Sequence, residues 1–143
     1  MAISSGIAIR FKQDCLQGDV HSISAGYVGL YMALFSAAAS LDNNTSIYPT
    51  SAEVANGNGY TTGGNICTVL SVSVDGSVAY LQFADQSWTS ATFTADGCLI
   101  YNSSASNKTV AVVSFGGAKT ATNGTFTVSM PAAAAATAIV RLS

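Results

Sequence analysis

Charge is what this sequence has least of. Five residues are Lys or Arg and seven are Asp or Glu, so charged side chains are 8% of the chain, against about 25% in an ordinary soluble domain. The cations are Arg10, Lys12, Lys108, Lys119 and Arg141, and only the first two lie close in sequence. Nucleic-acid binding through phosphate neutralisation needs a basic face. A net charge of −2 and scattered cations argue against that partner. Histidine is nearly absent: His21 is the only one. The three cysteines, Cys15, Cys67 and Cys98, are widely spaced and form no C-x-x-C pair, so no zinc spacing exists. Their odd number fits buried free thiols made in a reducing compartment, with a Cys67–Cys98 bridge left open. Residues 1–6 lack the basic start and apolar stretch of a signal peptide. No apolar run approaches the ~18 residues of a membrane span. The longest, residues 27–39, is interrupted by Gly29 and Ser36, so no membrane partner is expected.

What remains is apolar and uncharged. Hydrophobic residues make up 49% of the 143, and Ser, Thr, Gly and Asn supply much of the rest. Disordered chains have the opposite composition. The length suits one domain, able to bury roughly 70% of its unfolded surface. A skin of Ser, Thr, Asn and Ala with few charges favours association. It points to a chain that works inside an assembly, as a homo-oligomer.

Period-2 alternation dominates the pattern. Residues 66–74 place Ile66, Thr68, Leu70, Val72 and Val74 on one side, and residues 78–83 alternate again after Asp75-Gly76. Asp-Gly between alternating runs predicts a hairpin with a type I′ turn. Further short runs at 27–35, 88–93, 98–101, 109–115, 125–130 and 138–142 are separated by Asp96-Gly97, residues 102–108, Gly116-Gly117 and Asn123-Gly124, all read as turns. This punctuation predicts an all-β antiparallel sandwich of jelly-roll or immunoglobulin-like type with about eight strands. Residues 7–12 (IAIRFK) are a candidate ninth strand. Ser51 is a candidate N-cap for one helical turn at 51–54. Pro131 and the five alanines after it read as a connector, because one turn of Ala-rich helix is marginal alone. Residues 1–26 differ from the rest and are expected to be an extended N-terminal arm; residues 27–143 form the sandwich domain.

The stretch NGNGYTTGGN, residues 56–65, resembles a phosphate loop only superficially. A Walker loop needs lysine after its last glycine, and Asn65 stands there. The G-x-G-x-x-G pattern also fails. Gly57, Gly59, Gly63 and Gly64 are therefore expected to shape turns, as are Asp75 and Gly76. Catalytic sets are missing too. His21 has no G-x-S-x-G partner motif, Asp14 and Asp19 lack a cleft, and a single glutamate, Glu53, equips a glycosidase poorly. Asp42-Asn43-Asn44-Thr45 offers oxygen ligands without the glycine and glutamate of a calcium loop. No cofactor, no metal and no enzymatic activity are expected.

The segments quoted next carry a family resemblance. GLYMALFSAAASLDNNTSIYPTSAEVANGNGYTTGGN (29–65) contains Leu34, Phe35 and Ser36, then Thr50, Glu53, Val54, Gly57, Gly59, Tyr60, Gly63 and Gly64 in the order of a strand "ALYTS" followed by "T-x-E-V-x-G-x-GY-x-x-GG". YLQFADQSWTSATFTADG (80–97), LIYN (99–102) and VAVVSFGGAKTATNGTFTV (110–128) continue it. The chain thus resembles, over residues 27–142, a family of small β-rich virion proteins of tailed bacteriophages. The resemblance implies a β-rich, non-enzymatic virion part of capsid decoration, cement or minor tail type; the first expectation is a decoration or cement protein on the virion surface, made in the bacterial host cytoplasm, with the phage major capsid protein as partner. The first 26 residues lie outside it. There Ile7, Ile9, Arg10, Phe11 and Lys12 are the candidate assembly contacts, together with sheet edges open to strand addition. A tail or fibre component is the alternative, with Tyr27, Tyr31, Tyr48, Tyr60 and Trp88 as aromatics that stack on a host glycan. A hydrolase would rest on His21 alone.

Overall fold

In a computed structural model of the chain, the described residues are 2–17, 21, 23–131, 134 and 136–142. They form eight strands and one helix: β1 (Gly6–Ile7), α1 (Ile9–Gln17), β2 (Leu30–Phe35), β3 (Asn65–Ile66), β4 (Val69–Asp75), β5 (Val78–Phe83), β6 (Gln86–Asn102), β7 (Lys108–Val128) and β8 (Arg141–Leu142). Two antiparallel sheets result, with orders β1-β7-β6-β2-β3 and β4-β5-β8. The all-β, two-sheet architecture is the expected one.

β2 reads LYMALF, a continuous apolar run rather than an alternation, because the larger sheet is covered on both faces. Leu30, Met32 and Leu34 join Cys98, Ile100, Val110, Leu81 and Phe83 in the main core between the sheets. Ala33 and Phe35 point the other way and pack with Leu99, Tyr101, Val112, Ala39 and Leu41 under the loop that follows β2. Truncating a side chain such as the fully buried Phe35 would cost roughly 3–5 kcal/mol.

β6 and β7 are longer than the sequence pattern implies. The runs at 88–93 and 98–101 are one strand, and so are those at 109–115 and 125–130 as far as Val128. Asp96-Gly97 is not a turn. Gly97 lies within β6 because a Cβ there would stand 2.6 Å from Val113 O and 2.9 Å from Ile3 Cδ1. Gly116-Gly117 and Asn123-Gly124 are ladder irregularities on β7 rather than chain reversals: pairing shifts from Gly97↔Ser114 to Ala95↔Lys119, and from Ala91↔Gly124 to Phe93↔Ala121. Only residues 102–108 reverse the chain, through a short 3-10 turn over Ser103–Ala105 capped by the Asn102 side chain. The run at 66–74 also splits, with Ile66 pairing in the large sheet and Val69 onward in the small one.

The hairpin β4–β5 forms as expected, with Asp75 as the last strand residue opposite Val78. Gly76 has φ +59° and Ser77 is not among the positive-φ residues. That makes the turn type II′ rather than I′, which needs glycine only at its first central position.

Residues 2–17 do not form an extended arm or a ninth strand at 7–12. β1 adds to the edge of β7 at Gly6↔Val112 and Ile7↔Ala111, and the chain then turns into α1. Arg10, Lys12, Gln13 and Leu16 are good helix formers. The helix is only nine residues, short enough to need tertiary support. Phe11 and Asp14 on its inner side supply that support. Asp19, a candidate acid in the sequence, and most of the alanine run lie outside the described residues. Of the last expected strand, 138–142, only Arg141–Leu142 is strand.

Candidate functional site

The first polar cluster lies where α1 meets the turn between β6 and β7. Asp14 is fully buried. A carboxylate in that position is costly unless paired and hydrogen-bonded. Arg10 Nε donates to its Oδ1 at 2.8 Å, His21 Nε2 donates to Oδ2 at 3.1 Å, and Lys108 Nζ stands 3.7 Å from Oδ2. Burial pushes the Asp14 carboxyl pKa up, but the hydrogen bonds from Arg10 and His21 and the charges of Arg10 and Lys108 outweigh it, leaving Asp14 below the usual carboxylate range.

The second His21 nitrogen, Nδ1, accepts from Asn102 Nδ2 at 3.1 Å. The orientation of that amide is set by its oxygen, which accepts from Tyr27 O–H at 2.9 Å and Ser104 N–H at 3.0 Å. The hydrogen-bond network therefore assigns the proton to Nε2. A general base needs a free nitrogen facing a nucleophile; here Asp14 and Asn102 take both. The side chain is 1% exposed and stacks edge-on with Phe11 at 4.9 Å. What the arrangement does is clasp the N-terminal segment to β6 and β7.

The second cluster explains the glycine-rich loop. Glu53, the single glutamate, ends a tight turn in which Ala52 has φ +62°, so the helical turn expected at 51–54 is absent. Glu53 Oε1 accepts from Tyr60 O–H at 2.6 Å and Gly63 N–H at 2.7 Å, and Oε2 accepts from Tyr48 O–H. Tyr60 Oη in turn accepts from Leu34 N–H on β2 at 3.0 Å, and Tyr101 O–H donates to Gly63 O at 2.8 Å. The Tyr101 ring stacks on Tyr48 at 4.3 Å and on Tyr31 at 5.8 Å. Burial, reinforced by the Glu53 hydrogen bonds, pushes the pKa values of Tyr48 and Tyr60 up; burial and the Glu53 charge push Tyr101 up to about 12.

Gly57, Gly59, Gly63 and Gly64 all have positive φ, as their reading as turn residues requires. Two of them also allow close approach. A Cβ on Gly59 would stand 2.6 Å from Ser90 O, and one on Gly64 only 1.8 Å from Met32 O. The loop is thus a rigid plug pressed onto β2 and β6, with no phosphate cradle. The sequence reading found its glycines and missed the carboxylate that ties them down. The signal was a lone glutamate with tyrosines five residues before and seven after.

The candidate assembly residues are scattered by the fold. Phe11 is buried in the core and Ile7 packs against it. Arg10 is held by Asp14, while Ile9, at 50%, and Lys12 are exposed. Among the aromatics offered for glycan stacking, Tyr60 and Trp88 are 2% and 3% exposed and sit in a cluster with Phe93 and Phe126; Tyr27, Tyr31 and Tyr48 are half-buried. Asp42 is used within its own turn, accepting from Asn44 N–H at 2.8 Å. Cys67 and Cys98 are buried and unpaired, Cys15 exposed and unpaired. Burial pushes the Cys67 thiol up to about 12 and Cys98 higher still.

The surface that stands out is apolar. In the small sheet Leu70 is 49% exposed, Val72 50%, Val74 73% and Leu142 37%. A second apolar feature is a groove of about 650 Å³ along the far half of β7, floored by Phe115, Ala121, Phe126, Val128 and Ile139 with Lys119 as its one charge. Among the described residues no group of three or more His, Cys, Asp or Glu gathers to hold a metal, and no helix is long and apolar enough to cross a membrane. No protein-family profile, curated protein or solved structure matches the chain.

Proposed function

We propose that this chain is a virion structural protein of a tailed bacteriophage, a cement or decoration protein that binds the head surface and ties major capsid subunits together. The observation that carries the reading is the pairing of a nearly chargeless skin with large apolar side chains on open sheet edges and in the groove along β7. Monomeric proteins rarely leave such surfaces uncovered. The resemblance of the segments quoted from residues 27–142 to small phage virion proteins favours the major capsid protein as the partner. The clasps at Asp14 and Glu53 fit the same role, because each locks a loop to the sheet and leaves its carboxylate fully engaged. Many copies on a repeating lattice would gain affinity from multivalency and buried apolar area, without strong charge.

Heads assembled without the chain test this directly. Purified protein added back is expected to co-sediment with them at a fixed ratio to the capsid subunit and to raise the temperature at which they rupture. Failure to bind, with no change in rupture temperature, contradicts the proposal.

A further inference from the structure

We infer that β4 is a self-pairing edge, through which two copies of this chain join their small sheets into one six-stranded sheet about a two-fold axis. β4 is the outer strand of the order β4-β5-β8. Among the described residues its outer side is capped only at the start, where Gly26 N–H bonds to Val69 O. Beyond that point no backbone bond from another described segment reaches it. Edges of monomeric proteins are guarded by Lys, Pro, bulges or cover. The one bulge lies between Val69 and Ser71, and the regular stretch after it, Ser71-Val72-Ser73-Val74-Asp75, has no Lys, Arg or Pro.

The occupant follows from the order of these five residues. Antiparallel pairing of the stretch with itself, centred on Ser73, puts Ser73 opposite Ser73 of the second copy. Val72 then faces Val74 of the second copy, and Ser71 faces its Asp75. Apolar meets apolar on one face, and hydroxyl meets hydroxyl or carboxylate on the other, so every cross-strand pair is compatible. The two Asp75 carboxylates stand at opposite ends of the paired run, ~13 Å apart along the strands, and like charges never meet.

The faces join as well as the edges. The register Val72↔Leu81, Val74↔Ala79 and Ala79↔Leu142 places Val72, Val74, Leu81, Ala79 and Leu142 on one face of the small sheet. Leu81 is buried, but Val74 is 73% exposed, so the hairpin overhangs the core and leaves the apolar end of its inner face uncovered. Two-fold pairing sets these overhangs side by side as one isologous patch. A second copy supplies the matching strand, hydroxyls and valines at once.

The inference concerns the chain alone and does not depend on the capsid reading, so a purified-protein test separates the two. In sedimentation equilibrium the wild-type chain is expected to dimerise, and Val74→Lys to weaken that dimer by at least about tenfold, since it drives a cation into the joint edge. The register is read by Ser73→Cys in a Cys15→Ser background. On the two-fold axis the introduced thiols are cross-strand neighbours with Cβ atoms ~5 Å apart, close to disulfide reach. Oxidised glutathione should therefore link the copies covalently, while Ile47→Cys, more exposed but on another surface, stays monomeric on denaturing gels. A wild-type chain that stays monomeric, an unchanged Val74→Lys dimer of correctly folded protein, or equal cross-linking at the two positions overturns the inference.

Discussion

Replacing Glu53 by alanine should be among the most damaging single changes outside the apolar core. The carboxylate accepts three hydrogen bonds, from Tyr48, Tyr60 and the Gly63 amide. A hydrogen bond to a charged acceptor contributes about 1.5–3 kcal/mol net, and a buried polar group left without its partner costs about 1–3 kcal/mol. Tyr60 is 2% exposed, so its hydroxyl cannot turn to water after the truncation, although it keeps the Leu34 amide as donor. Tyr48 is half-buried and recovers part of its loss from solvent. Together these give a loss of roughly 4 kcal/mol for Glu53→Ala, with about half of that for the isosteric Gln. In urea, with a slope of ~2 kcal/mol/M, the midpoint should fall by about 2 M. A double-mutant cycle with Tyr60→Phe isolates the pair, with an expected coupling of ~1.5–3 kcal/mol. A midpoint shift under ~0.5 M for Glu53→Ala, or a coupling near zero, would refute the idea that this carboxylate pins the glycine-rich loop.

Three further outcomes follow from the same geometry. Gly64→Ala should be far worse than Gly57→Ala by thermal melting: both positions have positive φ, but only at Gly64 does a Cβ collide with backbone, so about 1 kcal/mol is expected at Gly57 and more than ~3 at Gly64. Asp14→Asn should cost about 2–4 kcal/mol at neutral pH by urea denaturation, since it removes the buried charge that Arg10 and His21 bond and Lys108 faces. Because the folded pKa of Asp14 lies below its unfolded value of ~3.9, its contribution is whole above that value and disappears as pH falls through the folded one, so the gap between wild type and variant should narrow only below about pH 4. At the alkaline end the sign reverses. Tyr48, Tyr60 and Tyr101 have folded pKa values above the usual ~10, so the stability they contribute is complete below pH ~10 and is lost as pH rises toward 12 and beyond; their ultraviolet ionisation should coincide with unfolding.

How far the fold could be read from the sequence depended on the range of the forces involved. Local alternation and turn chemistry made the β4–β5 hairpin visible, since Gly76 sits where a tight turn needs it. The same reasoning broke β6 and β7 into pieces, because glycine inside a strand looks locally like glycine in a turn. What distinguishes Gly97 is that Val113 and Ile3 fill the space a Cβ would need, a contact no local window contains. Residues 7–12 failed for a related reason. Ile7-Ala8-Ile9 alternates like a strand, while the helix that begins at Ile9 is held by Asp14 reaching His21 and Lys108. The alternation after Val69 was real, but Val72 and Val74 share a face with buried Leu81 and still stand 50% and 73% exposed, because the hairpin runs past the core. A pattern that normally reports burial here leaves large apolar side chains exposed, and the proposal of a covered surface rests on them.

Counting this chain in intact particles tests the central claim most directly. Quantitative mass spectrometry of purified virions that carry it, normalised to the major capsid protein, should give hundreds of copies in a fixed ratio to the capsid lattice. A handful of copies per particle, or none, would contradict the account.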